Sequence, residues 1–464
     1  MPSNASPSFD QLSLPPATLE NLRRLGYLEM TAIQAAALPP ALQGKDLIAQ
    51  AKTGSGKTAA FTLALLANLD ARRFAVQALV LCPTRELADQ VTGEIRRLAR
   101  AEDNVKVVTL SGGVPLRGQT SSLEHGAHIA VGTPGRILDH LERGNLQLDA
   151  LNTLVLDEAD RMLDMGFFDD IAKVARLCPA KRQTLLFSAT YPEGIAKLAA
   201  QFLRDPVTVK VEAQHGGEQI EQRWYEVAEG DRLNAVAKLL DHFRPVSTLA
   251  FCNTKARCRD LVELLQAQGF SALALHGDLE QRDRDQVLVR FANASCSVLV
   301  ATDVAARGLD VAGLAAVINV DVAPDAEVHV HRIGRTGRAG ETGLALSLAS
   351  LDEMGAVGRI EQLQGRESKW HPLSELTPAG GGRLLPPMAT VHIQAGRKEK
   401  IRPGDVLGAL TADLGYTREQ VGKIAINEFA TYVAVERGIA GEVVARLNQG
   451  RIKGRGVKAR LLKD

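Results

Sequence analysis

The sequence predicts an α/β protein with two consecutive parallel-sheet domains, followed by a smaller α+β domain. Short apolar and β-branched runs alternate with helix-length segments in two successive series. This pattern is typical of strands that are buried on both faces of a parallel sheet. The chain of 464 residues is also too long for one hydrophobic core. We therefore expect two or three domains.

Each series supplies enough strands for one sheet. The first contains candidate strands at residues 46–50, 76–82, 105–110, 128–131, 153–156 and 184–187. The second contains candidates at residues 248–252, 272–275, 298–301, 316–320 and 344–348. Because we expect a connection within residues 205–222, the predicted domains span residues 1–210 and 211–370.

The last part of the chain follows a different pattern. The Pro- and Gly-rich stretch LTPAGGGRLLPP predicts a linker at residues 371–387. Residues 388–464 then contain a predicted strand, helix, two strands, helix and strand, at 389–393, 403–414, 423–426, 432–435, 440–447 and 458–462. This βαββαβ order is typical of a ferredoxin-like domain.

Composition excludes membrane, secreted and disulfide-stapled proteins. The chain is 45% hydrophobic and 23% charged, as globular proteins are. It lacks the roughly 18 to 20 consecutive apolar residues of a membrane span, and MPSNASPSF is not a secretion signal. Five scattered cysteines without C-x-x-C spacing argue against disulfides or zinc. We expect a cytoplasmic monomer without membrane contact.

Charge is unevenly distributed. Residues 388–464 carry 14 Lys and Arg against 8 Asp and Glu, a net charge of +6, whereas residues 1–387 carry −5. The basic bias of the last domain indicates a polyanionic partner. A solvated charged surface is the alternative.

The stretch AKTGSGKT, residues 51–58, predicts a phosphate-binding loop, since it follows a predicted strand and precedes a helical segment. Its glycines let backbone N–H groups face phosphates, Lys57 reaches the β and γ oxygens, and Thr58 can ligate Mg²⁺. Ala51 replaces the glycine of the strict pattern, and a glycine-rich turn is the alternative. The predicted ATP contacts here are Thr53, Gly54, Ser55, Gly56, Lys57 and Thr58.

Three acids crowd the stretch TLVLDEADRML, residues 153–163, directly after a predicted strand. If the loop holds Mg·ATP, Asp157 would bind the metal, and Glu158 would orient and deprotonate the attacking water. The alternative for such acids is helix capping.

Further blocks follow in an order that one family shares: PTRELA (83–88), GG (112–113), TPGR (133–136), SAT (188–190), ATDVAARGLD (301–310) and HRIGRTGR (331–338). With AKTGSGKT and DEAD, they resemble the DEAD-box RNA helicases over residues 9 to about 350. The resemblance implies two tandem RecA-like domains, ATP hydrolysis with Mg²⁺, and an RNA partner.

The resemblance assigns further nucleotide contacts. Phe9, Thr31 and Gln34 would form the adenine-reading Q motif, with Met30 in place of its usual Pro, and Asp310 would bind the ribose. A glutamine amide both donates and accepts, which suits the adenine edge. The alternatives are a helix-capping Thr with an exposed Gln, and a loop-capping Asp.

The second domain has no G-K-[ST] stretch, but HRIGRTGR places Arg332, Arg335 and Arg338 at three-residue intervals. Such spacing favours a row of donors for phosphoryl oxygens, and a solvated arginine run is the alternative. By resemblance Arg335 and Arg338 are arginine fingers that act when the domains close, and His331 links them to the SAT motif. The coupling residues of that motif are Ser188 and Thr190.

The resemblance also assigns RNA contacts. In the two large domains these are Thr84, Arg85, Gly113, Thr133, Arg136, Asn253, Gln281, Arg284 and Thr302. Small, hydroxylated and isolated basic residues suit phosphate and 2′-OH contacts, so we expect RNA binding there without sequence preference. Ordinary turn chemistry is the alternative for the Thr and Gln positions.

The tail, with KIRPGDVLGALT and GKIAIN, resembles the carboxyl-terminal domain of the DbpA subfamily, and its strand order is shared by RNA recognition motifs. The resemblance implies an RRM-like domain that recognises a large-subunit rRNA hairpin within pre-ribosomal particles. The aromatic pattern of such a module is poor here, with Tyr432 and Ala430 at the stacking positions and His392 on the first strand, so we expect weak base stacking on the sheet. Charge predicts RNA contacts at Lys398, Lys400, Arg402, Arg451, Lys453, Arg455 and Lys458.

The predicted function is therefore ATP-dependent remodelling or local unwinding of RNA, addressed to rRNA by the tail. The alternatives are a general RNA helicase, an ATP-gated RNA clamp that unwinds nothing, and a DNA helicase. Glu158 and the SAT motif argue against a clamp, and Gln34 with the 2′-OH-compatible contacts argues against DNA.

Overall fold

The computed structural model describes residues 7–51, 54–102, 104–211, 220–306, 313–337, 342–380, 382 and 384–462. These residues divide into two compact units, one containing the residues up to 211 and the other those from 220 onwards. We call them unit 1 and unit 2. Among the described residues, no helix is both long and apolar enough to cross a bilayer.

Unit 1 is a parallel sheet with helices between its strands. Its described strands are β1 Leu47–Gln50, β2 Ala78–Leu81, β3 Val107–Leu110, β4 Ile129–Gly132, β5 Thr153–Leu156, β6 Gln183–Ser188 and β7 Val207–Lys210. Its described helices are α1 Pro16–Arg24, α2 Ala32–Leu42, α3 Lys57–Ala67, α4 Arg85–Leu98, α5 Leu116–Glu124, α6 Pro134–Glu142, α7 Ala159–Asp164, α8 Phe168–Leu177 and α9 Glu193–Phe202. The strand order is β3-β4-β2-β5-β6-β1-β7.

The central strands of unit 1 are continuously apolar because helices cover both faces of the sheet. All four residues of β2, β4 and β5 are buried. All neighbouring pairs are parallel. The carboxyl ends of the strands therefore lie along one edge, where ligand-binding loops of such sheets gather.

Unit 2 begins with a second parallel sheet, ordered β10-β11-β9-β12-β13-β8-β14. Its described strands are β8 Ile220–Glu226, β9 Thr248–Cys252, β10 Ala272–Leu275, β11 Val298–Thr302, β12 Ala316–Asn319, β13 Gly343–Ala349 and β14 Trp370–His371. Its described helices are α10 Arg232–Phe243, α11 Lys255–Ala267, α12 Gln281–Ala292, α13 Asp303–Ala306, α14 Ala326–Ile333 and α15 Met354–Gln364.

The last part of unit 2 is an antiparallel sheet ordered β16-β17-β15-β20. The elements described there are β15 Met388–Ile393, α16 Pro403–Gly408, β16 Val421–Ile426, β17 Thr431–Glu436, α17 Ala440–Gln449, β18 Arg451–Ile452, β19 Arg455–Gly456 and β20 Ala459–Leu461. Val406 and Val443 of its two helices share a core with Val391 and Val433 of the sheet. The predicted fold class, two parallel-sheet α/β domains and an α+β domain, is confirmed.

Edge elements differ from the prediction. The expected connection at residues 205–222 contains β7 and the start of β8. β7 lies at the sheet edge and buries only one of its four residues, so it lacks the continuous apolar run of a central strand. The predicted helix 403–414 divides into α16 and a π-helical turn, Ala409–Asp413. The hairpin of β18 and β19 was not predicted.

Described residues of the segment predicted as a linker, 371–387, pack along α10. The Ala379 N–H donates to the Asp241 carbonyl at 3.1 Å, and the Thr377 N–H lies 3.1 Å from Nδ1 of His242. Leu384 is buried in the same core cluster as Leu240 of α10. Pro and Gly content therefore identified an irregular segment, but tertiary contacts hold it against unit 2.

Candidate active site and nucleic-acid interface

The sheet order of unit 1 separates two groups of predicted site residues along one edge. The phosphate-binding loop, the DEAD acids and the SAT residues follow β1, β5 and β6, which are neighbours in the sheet. Gly113, Thr133 and Thr84 follow β3, β4 and β2, which form the other half. The predicted ATP and RNA contacts therefore occupy adjacent parts of the same edge.

The phosphate-binding loop is held open by its glycines. Gly54 and Gly56 have φ values of 82° and 95°, a region that glycine enters at little cost. The Nζ of Lys57 donates to the Ala51 carbonyl at 2.7 Å and is buried. In the described part of the chain, the buried Ser55 hydroxyl has no hydrogen-bond partner. A phosphate oxygen would satisfy such a group, so the loop fits a nucleotide.

Gln34 connects the predicted adenine-reading segment to this loop. Its Nε2 donates to the Gly56 carbonyl at 3.1 Å, and its Oε1 accepts from the Thr31 N–H at 2.9 Å. A Cβ atom at position 56 would lie 2.5 Å from this Nε2, so the contact requires glycine there. Phe9 is buried edge-on against Tyr27, with ring centroids 6.3 Å apart. Adenine contact remains a prediction for Phe9, Thr31 and Gln34.

The crowded acids have different neighbours. Burial, and then the charge of Glu158, raise the pKa of Asp157 to about 7, although Lys57 opposes the rise. Glu158 accepts from Nη1 of Arg161 at 2.6 Å, and both side chains are buried. A cation beside Asp157 would relieve the unfavourable burial of its charge. The site therefore fits Mg²⁺, with Asp157 and Thr58 as the side chains that would hold it.

Asp160 ties the DEAD segment to the SAT segment. Its Oδ2 accepts from the backbone N–H groups of Ala189 and Thr190, at 3.0 and 2.9 Å, and from the Thr190 hydroxyl at 3.1 Å. The Ser188 hydroxyl accepts from the Asp160 N–H at 3.3 Å. Burial alone would raise the pKa of Asp160, but the Thr190 hydrogen bonds and the Lys57 charge outweigh it and lower the pKa.

Neither Asp160 nor Arg161 was a predicted site residue. A signal for Arg161 was its position three residues after Glu158, because residues spaced by three meet on one helix face. Asp160 lies within the DEAD motif itself, yet its bonds to residues 189 and 190 follow from the pairing of β5 with β6. Sequence spacing alone does not specify that pairing.

Asp160→Asn is expected to destabilise unit 1 by about 2 to 4 kcal/mol. The carboxylate accepts hydrogen bonds through both oxygens, whereas an amide has one oxygen and places its NH₂ group against a backbone N–H donor. The measurement is the midpoint of the first unfolding transition of the full chain by calorimetry. Asp169→Asn, at an exposed position of α8, is the matched control. An unchanged midpoint for Asp160→Asn would show that these bonds contribute little.

The predicted RNA contacts of unit 1 lie near the beginnings of helices, and a hydrogen bond from Arg136 joins two of these segments. Thr84 caps α4 by accepting from the Leu87 N–H at 3.2 Å, and Arg85 is the first residue of that helix. Gly113 has a φ of 76°. Nη1 of Arg136 donates to the Val114 carbonyl at 3.2 Å, which connects the segment after β4, where Thr133 precedes α6, to the segment after β3. All of these residues follow strands β2, β3 and β4, which are neighbours in the sheet.

In unit 2, Asn253 follows β9, Thr302 ends β11, and Gln281 and Arg284 lie in the first turn of α12. Nη2 of Arg284 donates to the Ala305 carbonyl at 2.9 Å, which holds α12 beside the segment that follows β11. The predicted contacts therefore lie at carboxyl ends of neighbouring strands, as in unit 1.

The arginine row is corrected by the structure. Arg332 is 1% exposed; its Nε and Nη2 donate to Asp303, both at 2.7 Å. Its Nη1 donates to the Asp321 carbonyl at 2.7 Å, so it supports the sheet and is withdrawn from phosphoryl contact. His331 lies in the last turn of α14, and Arg335 lies beyond its end and is 7% exposed. Thr53, Asp310 and Arg338 lie outside the described residues.

The stability of unit 2 is expected to fall between pH 6.5 and about 4 because of His329 in α14. This ring is buried against Trp224, with centroids 5.3 Å apart, and in the described structure neither ring nitrogen has a hydrogen-bond partner. Burial, and then the charges of Arg332 and Arg366, lower its pKa from 6.5 to about 4. The unfolded chain therefore binds the proton more tightly than the folded chain does. This difference lowers the free energy of unfolding by up to about 3 kcal/mol at low pH.

His329→Phe keeps an aromatic ring against Trp224 and removes the titration, so it should flatten the dependence of unfolding free energy on pH in that range. The measurement is urea unfolding of the full chain from pH 4 to 7. His125→Gln, at an exposed histidine of unit 1, is the control. Equal pH slopes for the wild-type and His329→Phe chains would contradict this role.

The outer face of the carboxyl-terminal sheet, opposite its two helices, is covered by α12 and the turn that follows it. The Thr390 hydroxyl lies 3.2 Å from Nδ2 of Asn293 and 2.6 Å from the Ser295 hydroxyl. His392 and Tyr432 pair across β15 and β17 but are only 8% and 6% exposed. These predicted stacking positions are therefore closed to a base.

The predicted basic contacts of the tail are all exposed: Lys398, Lys400, Arg402, Arg451, Lys453, Arg455 and Lys458. A two-residue turn with positive φ at Lys453 and Gly454 joins β18 to β19. The Nζ of Lys453 donates to the Lys400 carbonyl at 2.9 Å. Two basic stretches that are about 50 residues apart in the sequence thus share one surface.

Three family models match the chain: DEAD/DEAH box helicase at residues 31–198, helicase conserved C-terminal domain at 231–340, and DbpA RNA binding domain at 390–461. The chain is 54% identical to the ATP-dependent RNA helicase DbpA of Escherichia coli, over 97% of this chain and 98% of that relative. The chain belongs to the DbpA subfamily of DEAD-box ATP-dependent RNA helicases.

Other DEAD-box relatives share the two large domains of this helicase. The DEAD-box ATP-dependent RNA helicase CshA of Geobacillus kaustophilus is 44% identical over 78% of this chain and 77% of its own length. A structure of S. cerevisiae Dbp5 bound to RNA and ADP BeF3 aligns with a TM-score of 0.72 and 30% identity, covering 80% of this chain and 97% of that one. The predicted tandem RecA-like domains and RNA-dependent ATPase activity are thereby confirmed for this DEAD-box helicase.

Proposed function

We propose that this DEAD-box helicase remodels large-subunit rRNA during ribosome assembly and is addressed to an rRNA hairpin by its carboxyl-terminal domain. The observation that carries the proposal is the exposed basic surface of that domain, where the Nζ of Lys453 donates to the Lys400 carbonyl and joins two basic stretches. The remaining residues 1–387 carry a net charge of −5, so bulk electrostatics give them little affinity for RNA at physiological salt. The cytoplasm, where pre-ribosomal particles assemble, is the expected location, and a monomer suffices.

In the proposed hydrolysis, Lys57 contacts the β and γ phosphates, and Glu158 orients and deprotonates the attacking water. Bound Mg²⁺, held by Asp157 and Thr58, would neutralise phosphate charge. The bond between Glu158 and Arg161 at 2.6 Å orients the carboxylate and supports its role as base. The remaining proposed contacts are those predicted for Phe9, Thr31, Gln34, Asp310, His331, Arg335 and Arg338.

Coupling to RNA is proposed to act through Asp160. Its bonds to Ala189 and Thr190 connect the segment that carries Glu158 with the SAT segment. RNA held at Arg136 and Gly113 of unit 1, and at Arg284 of unit 2, would favour the closed arrangement in which Arg335 assists hydrolysis. The aligned Dbp5 is bound to RNA and to ADP BeF3 together, which supports simultaneous binding of RNA and nucleotide.

The test is ATP turnover with three activators: the large-subunit rRNA hairpin, an unrelated RNA of equal length, and the matching DNA. Each is measured on the full chain and on residues 1–387. Activation by the hairpin at much lower concentration, only with the tail present, supports the proposal. Equal activation of both chains by every RNA would favour the general RNA helicase, and equal activation by DNA would remove the preference for RNA.

A strand-displacement assay separates remodelling from the second candidate, an ATP-gated clamp. The clamp would hydrolyse ATP slowly and displace no strand. Glu158 is present for ATP hydrolysis, and the Asp160–Thr190 bonds join the DEAD and SAT segments. Displacement of a short duplex beside the hairpin is therefore expected.

A further inference from the structure

The connection between β16 and β17 places an aromatic ring on the surface of the carboxyl-terminal domain. Phe429 lies in this four-residue connection, residues 427–430, and is 60% exposed. The other two Phe or Tyr residues within the described positions 388–462, Tyr416 and Tyr432, are 8% and 6% exposed. A single exposed apolar residue is common in proteins. Phe429 differs from such a residue because basic side chains surround it.

Basic residues are held around this ring by backbone contacts. The N–H groups of Arg397 and Lys398 donate to the carbonyls of residues 427 and 428, at 2.9 and 3.0 Å. Gly396 permits this approach, because a Cβ atom there would lie 2.4 Å from the carbonyl oxygen of residue 427. The Nζ of Lys398 then lies 4.1 Å from the Phe429 ring centroid. The ring is therefore fixed at the edge of the basic surface.

The basic surface extends from Phe429 to the hairpin of β18 and β19. Lys398 and Lys400 belong to the segment that packs on the aromatic connection, and Lys453 donates to the Lys400 carbonyl at 2.9 Å. Acids are present too, since Glu428 lies 3.3 Å from Lys398. Asp405 likewise lies 3.5 Å from the Nζ of Lys453. The exposed Lys400, Arg402, Arg451 and Arg455 still give this surface an excess of positive charge.

We propose that Phe429 is a stacking platform for an unpaired base of the bound RNA, while the surrounding lysines and arginines contact its phosphates. Aromatic rings beside cationic grooves bind single-stranded RNA in this way. Because α12 and the turn that follows it cover the outer face of the sheet, a base cannot stack there. Phe429 lies outside that face and is exposed, so it is the ring that a base can reach. The proposal rests on the proposed RNA binding by this domain and names one residue that carries it.

The experiment measures binding of a labelled RNA hairpin with an unpaired loop to the full chain, by fluorescence anisotropy. Phe429→Ala is expected to weaken binding about 5- to 100-fold, the range for losing one stacked base. Phe429→Tyr should restore affinity to near the wild-type value. Phe74→Ala is the matched control, because Phe74 is 51% exposed and has Lys106 5.1 Å from its centroid but lies in unit 1.

Two further measurements separate stacking from charge and from misfolding. With a hairpin whose loop nucleotides lack bases, the wild type and Phe429→Ala should bind equally. The plot of log affinity against log salt should keep its slope in Phe429→Ala, whereas the double variant Lys400→Gln, Arg455→Gln should reduce the slope by about 1 to 2.

Binding of Phe429→Ala within about twofold of the wild type would overturn the stacking role. If the double variant still loses affinity in that case, RNA binding by the domain stands and only the role of Phe429 fails. If neither variant changes the affinity, the proposed address function of the domain fails as well. An equal loss for Phe429→Ala with the base-free hairpin would also overturn stacking.

Discussion

Glu158→Gln is expected to reduce RNA-stimulated ATP hydrolysis at least about 100-fold, which is the lower range for loss of a general base. The amide cannot accept a proton from water, but it fills the same space beside Arg161. ATP and RNA binding should therefore persist. Glu158 is the second residue after β5, with a left-handed φ of 51°, and its carboxylate accepts from Nη1 of Arg161 at 2.6 Å.

The measurement is turnover at saturating ATP and RNA, together with ATP affinity by titration with a fluorescent analogue. Glu193→Gln removes the same charge from an 82% exposed side chain of unit 1 and serves as the matched control. Turnover near the wild-type value in Glu158→Gln would refute its role as the base. Loss of ATP binding instead would indicate that the substitution disturbs the site.

Arg335→Ala is expected to abolish most of the RNA-stimulated hydrolysis, by about 100-fold or more, since arginine fingers contribute about 10³ to 10⁵ to phosphoryl transfer. ATP binding should remain, because the phosphate-binding loop and Lys57 belong to unit 1. Arg332, three residues earlier, is committed to Asp303 and does not substitute for it.

This prediction is checked by comparing basal and RNA-stimulated turnover with ATP affinity in the same preparation. Arg359→Ala, at an exposed arginine of α15, removes an equal charge from unit 2 as a control. If both the basal and the stimulated rates survived in Arg335→Ala, hydrolysis would not depend on unit 2. Arg335→Lys should restore little activity, because an ammonium cannot reproduce the planar guanidinium.

The most predictable parts of the molecule were those whose chemistry is local. The glycines of AKTGSGKT predicted a phosphate-binding loop, and in the structure Gly54 and Gly56 have left-handed φ values, which glycine adopts at little cost. Central strands such as β2 and β5 were predicted because burial on both faces demands an unbroken apolar run. The order of motifs then predicted the family without reference to any contact.

Less predictable features depended on partners distant in the sequence. Spacing could not predict that Arg332 is held by Asp303 and the Asp321 carbonyl, because strands β11 and β12 bring these partners to it. Edge strands such as β7 were missed because one face is exposed and their apolar pattern is interrupted. The contacts of Asp160 required the pairing of β5 with β6.

The two parallel-sheet domains, the βαββαβ tail, the phosphate-binding loop and the crowded acids could be predicted from the sequence, because the spacing of buried residues and the conformation of glycine are local properties. Which charges remain exposed, and which face of the tail is open, depends on contacts between elements that are distant in the sequence. α12 and the turn that follows it cover Thr390, His392 and Tyr432, while Phe429 stays exposed beside Lys398. Packing between separate elements, rather than local propensity, determines which polar and aromatic groups can reach a ligand.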